Sequence, residues 1–92
     1  MKTEQVYKEK NMPETHFRAG PISATVWKNE VGEVSFSSVS LERRYKDKDG
    51  VWKSTKALRV NDLPKAALVL NKAYEHLVMK EKANNAEEEI AY

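Results

Sequence analysis

At Asn61-Asp62-Leu63-Pro64 the chain changes period, and no fold built from one element type accommodates that change. Before it, apolar residues alternate with polar ones. After it, Leu63, Ala66, Ala67, Leu70, Ala73, Tyr74, Leu77 and Val78 recur at the i, i+3, i+4, i+7 spacing of one helix face. Asn and Asp are favoured helix N-caps, and Pro is tolerated in a first helical turn, where its missing N–H would lack a partner. The spacing predicts one long helix from Leu63 that fades near Lys80 to Ala83. Strands first and a helix last place the chain in the α+β class: a small curved antiparallel sheet of three to four strands followed by one long C-terminal helix.

In the Phe17–Asn29 stretch, Ile22, Ala24 and Val26 alternate with Ser23, Thr25 and Trp27, which reads as a strand with the first set facing the core. Gly20-Pro21 marks the bend before it. Trp27 falls on the polar face, where a large ring marks either a binding surface or cover for a dimer contact or an N-terminal arm. The turn Lys28–Glu33 leads to a long strand, Val34–Lys46. Its apolar phase flips between Phe36 and Val39, predicting a β-bulge at Ser37-Ser38. Asp47-Lys48-Asp49-Gly50 is a hairpin turn, since Gly accepts the positive φ of a tight reversal. Val51–Val60 is read as the returning strand, with the outer half of the hairpin projecting as a two-stranded ribbon. A first strand, ahead of these three, would have to come from around His16 to Ala19, or the sheet is smaller.

Ninety-two residues suit one domain. We read 1–15 as a flexible arm, 16–82 as the folded domain and 83–92 as an acidic, disordered tail. The net charge of +2 hides a gradient: nine Lys/Arg face five Asp/Glu between Phe17 and Val60, whereas Lys80 to Tyr92 holds two Lys and four Glu. Such a tail is also suited to fold over the basic hairpin and compete with its ligand. The chain has no Cys, which fits a reducing compartment. No apolar run approaches the ~20 residues that span a bilayer. We expect a cytoplasmic protein, nucleoid-associated if prokaryotic, with no membrane partner.

The parts for catalysis are missing. His16 and His76 have no carboxylate at metal-ligand spacing, there is no thiol, and Gly20, Gly32 and Gly50 are too scattered to cradle a phosphate. We expect no enzyme, no metal, no cofactor and no small-molecule substrate. His76 is read as a helix-end residue stabilised by the dipole, and His16 as the junction of the arm. What remains is the hairpin LERRYKDKDGVWKSTKALRV from Leu41 to Val60. Arg43, Arg44, Lys46, Lys48, Lys53, Lys56 and Arg59 supply cations, and Tyr45 and Trp52 flank the turn on opposite arms, where we expect them close across the hairpin, with Trp27 as an extension. Rings beside cations suit unpaired bases and phosphates. The same charges would equally solvate an exposed ribbon and keep it from pairing edge to edge. Strand alternation puts Arg44 and Lys46 on one side and Arg43 and Tyr45 on the other. On the helix, Leu68 and Val69 widen the apolar stripe beyond what one small sheet covers. Burying either is worth ~1.5–3 kcal/mol, so we expect a homodimer through the helix, at Leu68, Val69 and Ala73.

The stretch Val34–Leu77 resembles the single-stranded DNA-binding domain of the transcriptional positive coactivator 4 family. It does so in its Arg-rich strand end (SLERRYK), short acidic Gly turn (DKDG), basic return (VWKSTKALRV) and Asn/Pro lead-in (NDLP) to a long helix. The resemblance covers roughly half the chain. It implies a whirly-like sheet-and-helix fold, a dimer with helices at the interface, and a curved groove that binds single-stranded DNA with little sequence preference. RNA or duplex binding by the same basic surface is a separate, competing expectation. The matching binding positions are Arg43, Arg44, Tyr45 and Lys46 on one strand and Trp52, Lys53, Lys56 and Arg59 on the next, with Trp27 and Lys28 on the strand before. The family's long Ser/Lys-rich regulatory leader has no counterpart among these residues, so the expectation stops at binding, in replication, repair or transcription. A protein–protein adaptor is the other competing expectation.

Overall fold

The computed structural model describes residues 9–90, with side chains described through Lys80. Four strands, β1 (Glu9–Ala19), β2 (Ile22–Val31), β3 (Val34–Lys46) and β4 (Trp52–Thr55), form one antiparallel sheet in chain order, and a 3₁₀ turn at Val60–Asp62 leads into a single helix, α1 (Leu63–Ile90). The α+β order read from the period switch is the order observed. Among the described residues no helix is long and apolar enough to cross a membrane.

Each of the three hairpins has a glycine where φ turns positive. Gly20, at φ 60°, makes the β1–β2 turn with Pro21, and Gly50, at φ 82°, closes the β3–β4 turn. Asp47 completes the β3–β4 turn: its carboxylate accepts the Asp49 and Val51 N–H groups, both at 2.9 Å.

Ile22, Ala24 and Val26 are fully buried, as their alternation predicts. The helix meets them with Ala66, Val69 and Ala73, and Phe17, Ala19, Leu41, Leu58 and Leu77 close the margins. This corrects the dimer assignment. Val69 and Ala73, expected between subunits, lie inside the chain's own core. Of the three expected residues only Leu68 is exposed, at 51%. α1 lies over β1 and β2 and reaches β3 only at its margin, so the stripe that faces the sheet is narrow. Leu63, Leu70 and Tyr74, which the periodicity places with the core, remain 53%, 40% and 68% exposed.

Other boundaries also shift. Residues 9–15, read as arm, pair with β2 as the first half of β1; residues 1–8 lie outside the described residues. The helix continues through the expected tail to Ile90, and Ala91 and Tyr92 lie outside the description. The bulge is in β1, where Glu14 interrupts the register between Pro13 and Thr15. No bulge occurs at Ser37-Ser38: β2 and β3 pair without a break from Val31↔Val34 to Ile22↔Arg43. Among the described residues, no helix covers the face carrying Val34 and Phe36. Nothing therefore forces Phe36 into the core, and the uninterrupted ladder wins. At Pro13 the backbone has no N–H to give, so the ladder yields there instead.

β4 is shorter than expected. The chain leaves the sheet after Thr55, whose hydroxyl accepts the Ala57 N–H at 3.1 Å and so competes with strand pairing. β4 pairs only with Arg43–Lys46, and the rows from Arg44 outward lie beyond the end of β2. The projecting ribbon is therefore present, three rows long beyond β2.

The bulge gives β1 a polar hold on the helix. Glu14 Oε2 lies 2.7 Å from His76 Nε2 and 2.8 Å from Lys80 Nζ. His76 is thus a mid-helix partner of β1, with its ring edge-on to Phe17 at 6.1 Å, and does not end the helix. The bonds from Lys80, and then from His76, hold the Glu14 carboxyl below its ordinary value of 4.5. A carboxyl whose pKa is lowered by folding adds stability above its unfolded value, and that contribution is lost as pH falls through the folded one. We expect acid to destabilise the wild type more than Glu14→Gln below about pH 4.5. Unfolding midpoints measured across that range check this, and parallel curves for the two proteins would refute it.

Candidate nucleic-acid interface

Strand alternation, fixed by the observed register, divides the ten expected binding residues into three groups. Trp27, Arg44, Lys46 and Trp52 stand on the face of the sheet opposite the helix. Lys28, Arg43, Tyr45 and Lys53 stand on the helix side. Lys56 and Arg59 lie past the end of β4, in the link to the helix. The residues therefore do not form one surface.

The open-face group has a centre. Lys46 lies directly across from Trp52, and Arg44 is its diagonal neighbour. The Arg44 guanidinium carbon is 5.2 Å from the centre of the Trp52 ring and Lys46 Nζ is 5.3 Å from it. At such distances the ring quadrupole attracts each cation. Among the described residues neither Arg44 nor Lys46 forms an ion pair, and Trp52 is 57% exposed. Their charge and the ring's surface are available to a ligand.

In the helix-side group Arg43 and Lys53 are already paired. Arg43 Nε lies 3.4 Å from a carboxylate oxygen of Asp62 and donates to the Ala57 carbonyl at 3.3 Å. The same Asp62 oxygen accepts the Arg59 N–H at 2.8 Å. Arg43 thus ties the end of β3 to the start of the helix, and its guanidinium carbon also lies 5.5 Å from the Tyr45 ring centre. Lys53 pairs with Asp47 at 3.0 Å across the hairpin turn. The Val51 N–H, followed by Lys53, holds the Asp47 carboxyl below its usual range. The expectation that Tyr45 and Trp52 meet across the hairpin is corrected: Tyr45 faces Lys53 and Trp52 faces Lys46, so the rings are on opposite sides of the ribbon.

Trp27 shares the open face with Trp52 at the far end of the sheet. Eight residues of β3 separate Ser38, across from Trp27, from Lys46, across from Trp52, which at ~3.4 Å per residue is roughly 27 Å. The Trp27 indole N–H donates to the Ser40 hydroxyl at 2.9 Å, which fixes the ring. The sequence reading missed Phe36, 51% exposed and diagonal to Trp27 on this face. Its alternation with Ser35 and Ser37 was the available signal, and the assumed bulge masked it.

Among the described residues, two hollows border the sheet. The larger, about 500 Å³, lies between β1 and the helix, lined by Phe17, Lys72, Glu75, His76, Met79 and Lys80. Its lysines are matched, Lys72 to Glu75 and Lys80 to Glu14. The smaller, about 380 Å³, lies at the base of the hairpin and is lined by Arg18, Gly20, Pro21, Arg44 and Trp52, with no acid among them. It is the smaller one whose chemistry belongs with the open-face group.

Comparison with protein-family models finds no matching family, and comparisons with curated proteins and with solved structures find no match to either.

Arg43 is a test of this division. We expect Arg43→Ala to cost about 1–3 kcal/mol of stability by leaving the buried Asp62 carboxylate without its cation, a loss that denaturant unfolding would measure. A variant as stable as wild type would show that the Arg43–Asp62 pair does not hold the helix start.

Proposed function

We propose that the protein is a dimeric single-stranded DNA-binding protein with little sequence preference, and that its open sheet face is the binding surface. The observation that carries this reading is the Arg44–Lys46–Trp52 group: two cations without acidic partners among the described residues flank a half-exposed indole. Phosphates are drawn to the cations and a base stacks on the ring, an interaction that every base offers. Trp27 and Phe36 give the same face a second aromatic patch down the sheet. Lys56 and Arg59, exposed beside the hairpin, add positive charge at the rim. Tyr45, Arg43 and Lys53 drop out of the contact set because they are on the helix side and, for the two cations, already paired. Nothing in the described residues assembles a reaction centre, and the proposal is of a binding protein.

The dimer reading now rests on different residues. Leu63, Ala67, Leu70 and Tyr74 follow the 4-3-4 spacing of a helix–helix seam, and all four are exposed. Exposing such a seam in a monomer forfeits hydrophobic stabilisation that a second helix would supply. An adaptor role is the second reading. It is favoured by the stretch of β3 from Val34 to Leu41, which has no charge, proline or glycine and, among the described residues, lacks a strand neighbour on the β4 side.

Titration with a fluorescent single-stranded oligonucleotide at two salt concentrations tests the binding reading. We expect binding that weakens with salt and quenches Trp fluorescence, with Trp52→Ala losing about 1–3 kcal/mol of affinity and Tyr45→Ala close to wild type. No binding at low salt favours the adaptor, and equal losses in the two variants would refute the assignment of faces. Sedimentation should give a dimer that Tyr74→Lys converts to a folded monomer; a wild-type monomer at high concentration would end the dimer proposal.

A further inference from the structure

The smaller hollow joins two residues of the binding reading above, Arg44 and Trp52, to parts that reading does not use. Arg18, at the end of β1, and the Gly20-Pro21 turn form one wall, and Arg44 and Trp52 form the other. The walls are held in place. The Arg44 N–H donates to the Pro21 carbonyl at 2.9 Å, which ties β3 to the turn beyond the last β2–β3 row. Arg18 Nε donates to the Gly20 carbonyl at 3.3 Å. That bond uses one of the five guanidinium N–H groups and leaves the terminal fork for a ligand. Gly20 is confined on its other side, because a Cβ there would stand 3.3 Å from Lys65 Nζ, so the helix start backs the turn.

The chemistry of the walls is specific in kind. Two guanidiniums favour a phosphate, which they bind in a bidentate way. An indole with a cation at 5.2 Å offers a surface for a planar ring. Proline adds an apolar wall. The nearest acid by register is Glu42, two strands from Arg18 across Ser23 on the same face, and it does not line the hollow. A volume of about 380 Å³ lies near the lower end of small-ligand sites, which run on the order of 300–1,000 Å³. That is room for one nucleotide unit.

We propose that this hollow is a nucleotide subsite: one base of a bound single strand rests against Trp52, and its phosphate sits between Arg18 and Arg44. Arg18 is then a binding residue, and the β1–β2 turn is part of the interface. The remainder of the strand runs from the hollow down the open face toward Phe36 and Trp27. This inference rests on the single-strand binding reading and adds to it a fixed position on the protein at which one nucleotide is held.

The test uses the full chain and a fluorescein-labelled oligothymidylate, titrated at several salt concentrations. Arg18→Ala is expected to weaken binding by about tenfold and to reduce the slope of log affinity against log salt by about one. Arg18→Lys should keep the slope and recover part of the affinity. Lys72→Ala, which removes a cation beside the other hollow, should leave both unchanged. Wild-type binding that Arg18→Ala leaves unaltered overturns the subsite while the binding reading stands, and so does an equal loss in Lys72→Ala, which would mark a general charge effect. Failure of the wild type to bind at all overturns the binding reading itself. Thermal unfolding of Arg18→Ala should match wild type, since the side chain is exposed.

Discussion

The helix is held on the sheet by very little apolar material. Ile22, Ala24 and Val26 on one side meet Ala66, Val69 and Ala73 on the other, and half of these six are alanines. Small side chains let the helix approach closely, but they bury little area, and a fully buried Val or Ile stabilises by only ~1.5–3 kcal/mol. The structure adds two polar ties where apolar contact is thin. Asp62 holds Arg43 at the start of the helix, and Glu14 holds His76 and Lys80 about four to five turns further along. Both ties run to strands that flank the seam, so the helix is fixed in angle as well as position.

That arrangement decides which cations are left over. Arg43 and Lys53 face the helix and the turn, and both are drawn into pairs. Arg44 and Lys46, one residue out of phase, face away from the helix and pair with no acid among the described residues. The hairpin thus sorts its own charges: one set supports the fold and the other set is presented around Trp52. One narrow helix covering mainly β1 and β2 has two further consequences. Among the described residues, one face of the sheet is left uncovered and the Leu63–Tyr74 seam of the helix is unmatched. Both proposals of function, a strand on the open face and a second helix on the seam, start from these uncovered surfaces.

The elements that were legible in the sequence are those fixed by local chemistry. The alternation from Ile22 to Trp27 gave the core face of β2 correctly, the Gly20-Pro21 and Asp47–Gly50 turns fell where glycine allows positive φ, and the helix began at Leu63. The errors share a cause. The bulge at Ser37-Ser38 assumed that every apolar side chain on β3 must be buried; Phe36 and Val34 are exposed because no layer lies over them. The fourth strand was read through to Val60 because Ala57, Leu58 and Arg59 look strand-like, but Thr55 and Arg43 bind the backbone there instead. Pairing Tyr45 with Trp52 overlooked the register, in which Lys46 faces Trp52 and Tyr45 faces Lys53.

By itself, then, the sequence determined the order of elements, the turns, the inward face of β2 and the residue types available at the hairpin. These follow from φ preferences and from hydrophobic period, which act over a few residues. The tertiary structure alone decided which stripe of the helix is buried, where the bulge falls, and which cations remain unpaired. Those depend on contacts such as Glu14 with His76 and Arg43 with Asp62, between residues far apart in the chain. It also brought Arg18, from the first strand, to the same hollow as Arg44 and Trp52, because the Arg44 N–H closes onto the Pro21 carbonyl once the sheet has formed.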